Sequence, residues 1–178
     1  MENILCVKLP YPKIKENKRN LRLVSVINRA YGGGHGEIKA ILQYAYHYLY
    51  FKRMGDEQTA QMIMGICVCE MKHLNILGDT ILSLGGDPVY ATSSPFGYNY
   101  FSASKVWYGK TPEKMLIDDL TSEILAVNEY EKMLSEIDDE EVYSIIERLI
   151  LDEKLHEKVI KEKLIEISGD DFTGLNID

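Results

Sequence analysis

The chain has 178 residues and a net charge of −8, from 28 Asp and Glu against 20 Lys and Arg. Its 46% hydrophobic content predicts a globular protein with one sizeable core, and the lack of a basic stripe and of a long apolar run excludes nucleic acid and membrane as expected partners. No signal peptide pattern opens the chain, and the odd number of cysteines, three, predicts reduced thiols in the cytoplasm.

We predict a single domain over residues 1–178. Residues 1–19, which contain two prolines, are expected to form an extended segment laid against the body of the domain. Residues 168–178 are expected to form a short tail that is too small and too polar for a fifth helix.

Two helices are predicted for the first half of the chain. Apolar residues recur at spacings of three and four over about residues 21–54 and again over 57–84. Gly55 and Asp56 between them are typical of a helix stop followed by an N-cap. Three glycines at 32–34 interrupt the first pattern, so they either break the helix or lie within it at a close backbone approach.

Residues 87–111 form a long connection rich in Tyr, Phe and Ser, without a pattern typical of β-strands. A connection of this length is unusual unless it crosses the whole molecule. Its aromatic residues predict packing or a dimer interface, with electron transfer through its tyrosines as the alternative.

Two more helices are predicted for the second half. Thr111 and Pro112 are typical of an N-cap and a first helical residue, and the fourth helix is expected from about Glu140 to Ser168. The predicted fold is therefore all-α: an antiparallel four-helix bundle with one long crossover between helices two and three.

One arrangement of residues occurs twice in these helices. In the first copy, Glu37 is followed by Tyr44 and, 33 residues after the glutamate, by Glu70 and His73 of a Glu-x-x-His motif. On a helix, residues three apart project within about 60° of each other and residues seven apart within about 20°. The side chains of the motif can therefore reach one point in the bundle.

The second copy consists of Glu123, Tyr130 and a second Glu-x-x-His motif, Glu153 to His156, 30 residues after the first glutamate. If paired antiparallel helices hold their glutamates at one height, the turns should fall near residues 53–54 and near Asp138. Turn and cap residues occur at both places, which argues against accidental spacing.

Four glutamates on apolar helix faces need a charge partner, because a buried unpaired carboxylate is strongly unfavourable. No Lys or Arg stands at a matching core position, whereas two divalent cations would balance the four charges. Oxygen-rich donors with one imidazole per metal suit iron, which we predict, or manganese, the alternative. A bundle whose surface glutamates bind no metal is the remaining possibility.

Five other residues have weaker indications. His47 is expected to be structural or exposed, with an outer-shell role as the alternative, and His35 to be solvated. Asp119 is expected at the surface rather than beside the metals. Cys67 is predicted to fill the core, and Cys69 has no assigned role.

The segment from Gly36 to His47 resembles the first helix of bacterioferritins, and residues 21–167 resemble the ferritin-like superfamily. The resemblance implies a ferritin-like bundle in which Tyr44 and Tyr130 support the ligands, although plain core aromatics are the alternative. It also implies that Glu70 and Glu153 bridge the metals. The implied ligands are Glu37, Glu70, His73, Glu123, Glu153 and His156.

Leu9-Pro-Tyr-Pro12, the segment Tyr31 to Glu37 and the 30-residue Glu123–Glu153 interval also resemble the non-haem manganese catalases. In that branch Glu153 corresponds to a proton acceptor outside the ligand set. The role of Glu153 is therefore open between ligand and catalytic base.

These resemblances imply an enzyme that reacts with O2 or H2O2. The first hypothesis is a di-iron ferroxidase or peroxidase, the second a dimanganese catalase and the third a non-catalytic iron-binding or storage protein. Because the chain lacks the paired Cys-x-x-Cys motifs of rubrerythrins, an external electron-donor protein is expected, and the assembly is expected to be a homo-oligomer, a dimer or larger.

Overall fold

The computed structural model describes residues 4–14 and 18–169. The predictions for residues 1–3, 15–17 and the tail from 170 to 178, including the lack of a fifth helix there, lie outside the described residues. Within the described ranges the chain forms five α-helices and one β-hairpin. The elements are α1 Leu21–Gly32, α2 Glu37–Met54, α3 Glu57–Ser83, β1 Ala91–Ser94, β2 Gly97–Tyr100, α4 Pro112–Glu136 and α5 Glu140–Ser168.

Two helical hairpins, α2–α3 and α4–α5, form the four-helix bundle. Met115 and Leu116 at the start of α4 share a core cluster with Phe51 and Ile63, which lie near the α2–α3 turn. α4 therefore begins at the end of the bundle where α3 also begins, and the two helices run parallel. The predicted all-α bundle with one long crossover is confirmed.

Both turns have the capping geometry that their sequences predict. Gly55 ends α2 in the left-handed conformation at φ 82°, where a side chain would be strained. Asp56 then caps α3 by accepting a hydrogen bond from the Thr59 N–H at 3.0 Å. Asp139 caps α5 in the same way, through the N–H groups of residues 141 and 142.

The glycine-rich segment breaks the helix instead of lying within it. A Cβ atom on Gly33 would lie 2.1 Å from the carbonyl oxygen of Arg29, and one on Gly36 would lie 2.2 Å from that of Ala30. The backbone closes so tightly here that only glycine fits. As a result α2 begins afresh at Glu37 and carries this glutamate in its first turn.

The crossover contains a β-hairpin, so the expectation of no strands is wrong. β1 and β2 pair antiparallel, with Ala91 opposite Tyr100. Each strand has only four residues, and β2 is exposed along its whole length, so no alternation of polar and apolar residues marks it. The hairpin packs on α1 through Ala91, which a Cβ on Gly32 would meet at 2.3 Å.

Residues 4–14 form an extended segment, the N-terminal strap, across α3 and α5. Leu5 N–H donates to the carbonyl of Gly65 on α3 at 3.2 Å. On α5, Arg148 donates to the carbonyls of Val7 and Leu9 at 2.8 and 3.0 Å. The strap thereby closes one side of the bundle.

Two apolar clusters stabilise the ends of the bundle. One contains Ile27, Leu77 and Leu149, and the other contains Ile63 and Leu164, all fully buried. Each such side chain contributes about 1.5–3 kcal/mol of burial free energy, so the clusters can sustain a layer of polar residues between them. No helix of the described residues is long and apolar enough to cross a membrane.

Candidate metal centre

Each of the four bundle helices places one glutamate at the same level, and α3 and α5 each add a histidine one turn later. All six side chains are at most 4% exposed, and the residues are Glu37, Glu70, His73, Glu123, Glu153 and His156. The structure therefore brings together every residue of the predicted ligand set.

The six residues form two overlapping donor groups. Glu37 and His73 complete the first group, Glu123 and His156 complete the second, and Glu70 and Glu153 belong to both; within each group the ligand atoms lie within 4.8 Å of one another. Two metal ions placed in these groups would share two carboxylates. Glu153 lies in the donor layer with the other three glutamates.

His73 directs its Nδ1 atom into the first group. Nδ1 lies 2.9 Å from oxygens of both Glu70 and Glu153 and 3.8 Å from Glu37 Oε1. The shared carboxylates thus approach this imidazole more closely than the terminal one does.

His156 directs Nδ1 into the second group, 2.8 Å from Glu70 Oε1 and 3.5 Å from Glu123 Oε2. Although these distances are short, none of the three atoms makes a hydrogen bond of acceptable geometry within the described part of the chain. Buried atoms that converge without bonding one another are arranged as donors around a cation. The donor set therefore fits a divalent metal pair.

Burial and mutual repulsion raise the pKa values of two carboxyls. The pKa of Glu37 is raised well above its usual range by burial and by the charges of Glu70 and Glu153, and the pKa of Glu123 is raised by the same three causes. Without metal, the surroundings of both groups therefore favour the protonated carboxyl.

The histidines show the opposite balance between burial and charge. Burial alone would lower the pKa of His73 and of His156, but nearby carboxylates, with Glu70 first, raise both well above the usual value. For Glu70, burial would raise the pKa, yet the two imidazoliums lower it well below the ordinary range. Protons thus neutralise the metal-free cluster, and metal ions would displace them.

Two tyrosines bond the terminal glutamates across the bundle. Tyr44 on α2 donates its hydroxyl proton to Glu123 Oε1 on α4, and Tyr130 on α4 donates to Glu37 Oε1 on α2. Burial, followed by the charge of the bonded glutamate, raises the pKa of both phenols well above 10, so both remain donors. Each hydroxyl holds one oxygen of its glutamate in place.

The distal nitrogen of each histidine is also fixed. His73 Nε2 lies 3.0 Å from Asp152 Oδ2, and His156 Nε2 lies 2.7 Å from the carbonyl oxygen of Leu5 in the strap. A proton on Nε2 that is donated to these acceptors leaves Nδ1 with a free lone pair for a metal. Sequence reasoning missed both partners, although Asp152 directly precedes the motif glutamate.

Asp152 is itself held by the strap. It accepts from the Val7 N–H at 2.7 Å and from the Tyr11 hydroxyl at 2.6 Å, and Arg148 lies 2.9 Å away. Burial would raise its pKa, but hydrogen bonds from His73, Tyr11 and Val7 lower the pKa to about 2. The strap therefore supports the imidazoles of both donor groups.

A second polar network lies beside Glu123, and it corrects the expectation that Asp119 is at the surface. Asp119 is fully buried, 2.7 Å from His47 Nδ1 and 2.8 Å from Gln43 Nε2. Asp119 lies one helical turn before Glu123 on the same face of α4, and this face is buried there because α4 packs against α2. His47 is likewise buried, whereas His35 is exposed, as expected.

The core also contains a lysine that the sequence did not indicate. Lys39 is 1% exposed, donates to Ser122 and lies 3.6 Å from the ring centroid of Trp107. Burial, partly offset by the charges of Asp119 and other acids, lowers its pKa to about 8. Trp107 belongs to the crossover, so the sequence pattern of α2 alone could not show that the Lys39 ammonium group packs against an aromatic ring.

A cavity of about 20 Å³ adjoins the donor layer. This volume holds one or two water-sized molecules. Polar side chains line most of it: the four glutamates and two tyrosines of the donor layer, together with His35, Lys39, Ser122 and Glu129.

The cysteines differ from the prediction of three reduced thiols. Cys67 is a free, fully buried core residue, as predicted, but Cys6 and Cys69 form a disulfide. They lie 63 residues apart in sequence, and only the fold of the strap brings their Cα atoms to 5.8 Å. No local spacing signals such a pair.

The fold and the site define a class of protein, the helical bundles that bind two metal ions between four carboxylates and two histidines. The model of the ferritin-like domain matches residues 35–168, well over half of the chain. The chain therefore belongs to the ferritin-like domain family.

Relatives occur in two branches of that class. A "Probable manganese catalase" of Clostridium acetobutylicum is 24% identical, over 89% of this chain and 77% of its own length. The crystal structure of a manganese catalase from Anabaena has a TM-score of 0.78 and 22% identity, over 94% of this chain and 83% of that chain. Bacterioferritin from Rhodobacter capsulatus has a TM-score of 0.69 and 25% identity, over 83% and 86%. The fold is common to both branches.

Proposed function

We propose that this protein is an oxidoreductase whose dinuclear metal centre consumes H2O2. The observation that carries the proposal is the cavity of about 20 Å³ against the donor layer. Its size suits a small molecule such as H2O2 or O2. The relative described as a probable manganese catalase supports peroxide as the substrate.

Six residues would hold the two ions, with Glu37 and His73 on one, Glu123 and His156 on the other, and Glu70 and Glu153 between them. Bound ions of this kind supply electrons to peroxide and polarise its oxygen atoms. We assign Glu153 as a bridging ligand, because its oxygens face both histidines, Oε1 at 2.9 Å from His73 and Oε2 at 3.7 Å from His156.

The protein's own groups would control protons and water around the peroxide. Tyr44 and Tyr130 keep their protons and hold one oxygen of each terminal glutamate, so that the other oxygen would be available to hold a metal ion. Lys39 places a positive charge at the cavity wall, where it favours an anionic form of the substrate.

The metal is proposed as iron or manganese, since carboxylate-rich sites with one imidazole per ion suit both. The name of the Clostridium relative favours manganese. A homo-oligomer is also proposed, since the hairpin presents exposed Phe96, Tyr98 and Tyr100, which a second copy could cover.

A second candidate function, disproportionation of H2O2 to water and O2, is favoured by the manganese catalase relatives. The two reactions differ in their products. Peroxide reduction needs an electron donor and releases no O2, whereas disproportionation needs no donor and releases one O2 for every two H2O2.

The test is to purify the protein anaerobically, measure bound metals by mass spectrometry, and follow H2O2 and O2 after peroxide addition. Peroxide consumption that depends on two bound metals supports the proposal, and the O2 yield separates its two forms. Metal-loaded protein that consumes peroxide no faster than chelator-treated protein would refute it.

A further inference from the structure

The Cys6–Cys69 pair lies directly against the candidate metal centre. Cys69 Sγ is 3.6 Å from Nε2 of His73, whose Nδ1 faces the shared glutamates Glu70 and Glu153. One imidazole ring therefore separates the sulfur pair from the donor layer. A structural cross-link could have been placed anywhere along the strap, and this one is in contact with a ligand.

The two sulfurs differ in access. Cys69 is fully buried in α3, whereas Cys6 is partly exposed in the strap, and the Lys72 ammonium group lies 3.8 Å from its sulfur. An external thiol can therefore approach Cys6, and the positive charge of Lys72 would stabilise a Cys6 thiolate. The buried cysteine thus lies against the donor layer, and the partly exposed cysteine lies in the strap.

Polar groups for proton movement surround the buried sulfur. The hydroxyl of Tyr11 lies 3.9 Å from Cys69 Sγ and donates to Asp152 at 2.6 Å. Asp152 in turn contacts His73 Nε2 at 3.0 Å. The Tyr11 hydroxyl can therefore take a proton from Cys69 as it passes its own to the Asp152 carboxylate.

We propose that Cys6 and Cys69 are a redox-active dithiol that supplies the two electrons for peroxide reduction at the metal centre. In this reaction the two thiols and one H2O2 give one disulfide and two H2O. The O–O bond breaks and the S–S bond forms, the sulfurs are oxidised while the peroxide oxygens are reduced, and the two thiol protons end in the water molecules. The inference rests on the proposed function, because it needs peroxide at that centre.

A dithiol reductant, either a small molecule or a protein of the thioredoxin class, returns the pair to its reduced state. Its first thiolate attacks Cys6, the accessible sulfur, and Cys69 leaves as the buried thiolate; its second thiol then releases Cys6. The cycle accounts for a disulfide in a chain that has no rubredoxin-type electron-transfer motif of its own. Disulfides in reducing compartments are usually of this transient, catalytic kind.

A purely structural disulfide is the competing explanation, since a cross-link between residues 63 apart restricts the unfolded chain and so stabilises the fold. The two explanations differ in what controls oxidation. A structural pair oxidises at the same rate whether or not metal is bound. A donor pair oxidises quickly only when the metals are present.

The test counts thiols. The protein is reduced with dithiothreitol, desalted without oxygen, loaded with Mn²⁺ or Fe²⁺, and given one equivalent of H2O2; it is then denatured in N-ethylmaleimide and weighed by mass spectrometry. We expect loaded wild-type protein to fall from three alkylated cysteines to one. Chelator-treated wild type and Glu123→Ala, which lacks a ligand, should retain all three over the same time.

Two cysteine variants identify the pair. Cys67→Ser serves as the matched control and should still lose two thiols, because Cys67 is buried away from the pair. Cys6→Ser should keep both remaining thiols as alkylatable cysteines. Loss of thiols in Cys6→Ser that equals the loss in wild type would overturn the assignment of the pair.

The outcomes separate this inference from the proposed function. If loaded protein consumes peroxide but keeps three thiols, the inference fails and peroxide consumption stands. If the thiols oxidise equally fast with and without metal, the pair is not the donor of the centre. If loaded protein consumes no peroxide beyond the chelator-treated control, the proposed function fails first.

Discussion

Asp152 shows how much of the site depends on residues outside the donor set. It fixes the His73 ring from the side opposite the metals and is fixed in turn by the strap. We expect Asp152→Ala to weaken metal binding by about 10–100-fold, since such supporting acceptors set the tautomer and orientation of a ligand. Titration of metal-free protein with Mn²⁺ measures this, and Asp79→Ala, which changes an exposed acid on α3, the helix that carries His73, should bind as wild type.

Tyr130 allows a test of the hydrogen bonds inside the cluster. In metal-free protein, Tyr130→Phe leaves a buried oxygen of Glu37 without its donor, so the free energy of unfolding should fall by about 1–3 kcal/mol. Urea denaturation measures the change. Tyr98→Phe, at an exposed hairpin position, is the control, and equal stability of the two variants would show that the Tyr130 hydroxyl does not support Glu37.

At the scale of elements, the break between α1 and α2 positions Glu37. We expect Gly36→Ala to displace the start of α2 and to reduce both stability and metal content, because the new Cβ would lie 2.2 Å from a backbone carbonyl. Gly34→Ala is the matched control: its nearest contact would be the flexible Lys105 side chain at 3.7 Å. Thermal unfolding and metal content are measured for both variants. Equal values for the two would show that Gly36 is not needed to position Glu37.

The helices could be predicted from the sequence because each depends on local patterns of apolar spacing and caps. The ligand set followed, since Glu-x-x-His spacing and the turn positions constrain it within single helices. The contacts of three other residues could not be predicted, because each depends on a distant part of the chain. Asp119 is buried by the packing of α4 on α2, Lys39 by Trp107 of the crossover, and Cys6 meets Cys69 only through the fold of the strap. The β-hairpin was not predicted because its strands are too short to show an alternation of polar and apolar residues.

For the whole molecule, the charge balance of the cluster predicts a pH dependence of metal binding. In metal-free protein the raised pKa values of Glu37 and Glu123, and of His73 and His156, favour the protonated form of all four groups. Two divalent ions must displace these protons, so affinity should rise with pH and loading should release up to about four protons per chain. Calorimetry in two buffers of different ionisation enthalpy counts them, and pH-independent binding would contradict the assignment.

The account as a whole depends on one claim, that the four glutamates and two histidines bind two metal ions. The most direct test is the stoichiometry of metal binding in the intact chain, measured by titration of chelator-treated protein with Mn²⁺ and Fe²⁺ and confirmed by elemental analysis. We predict two ions per chain for the wild type and no more than one for Glu123→Ala. Fewer than one ion per wild-type chain would show that the buried carboxylates are held by protons alone.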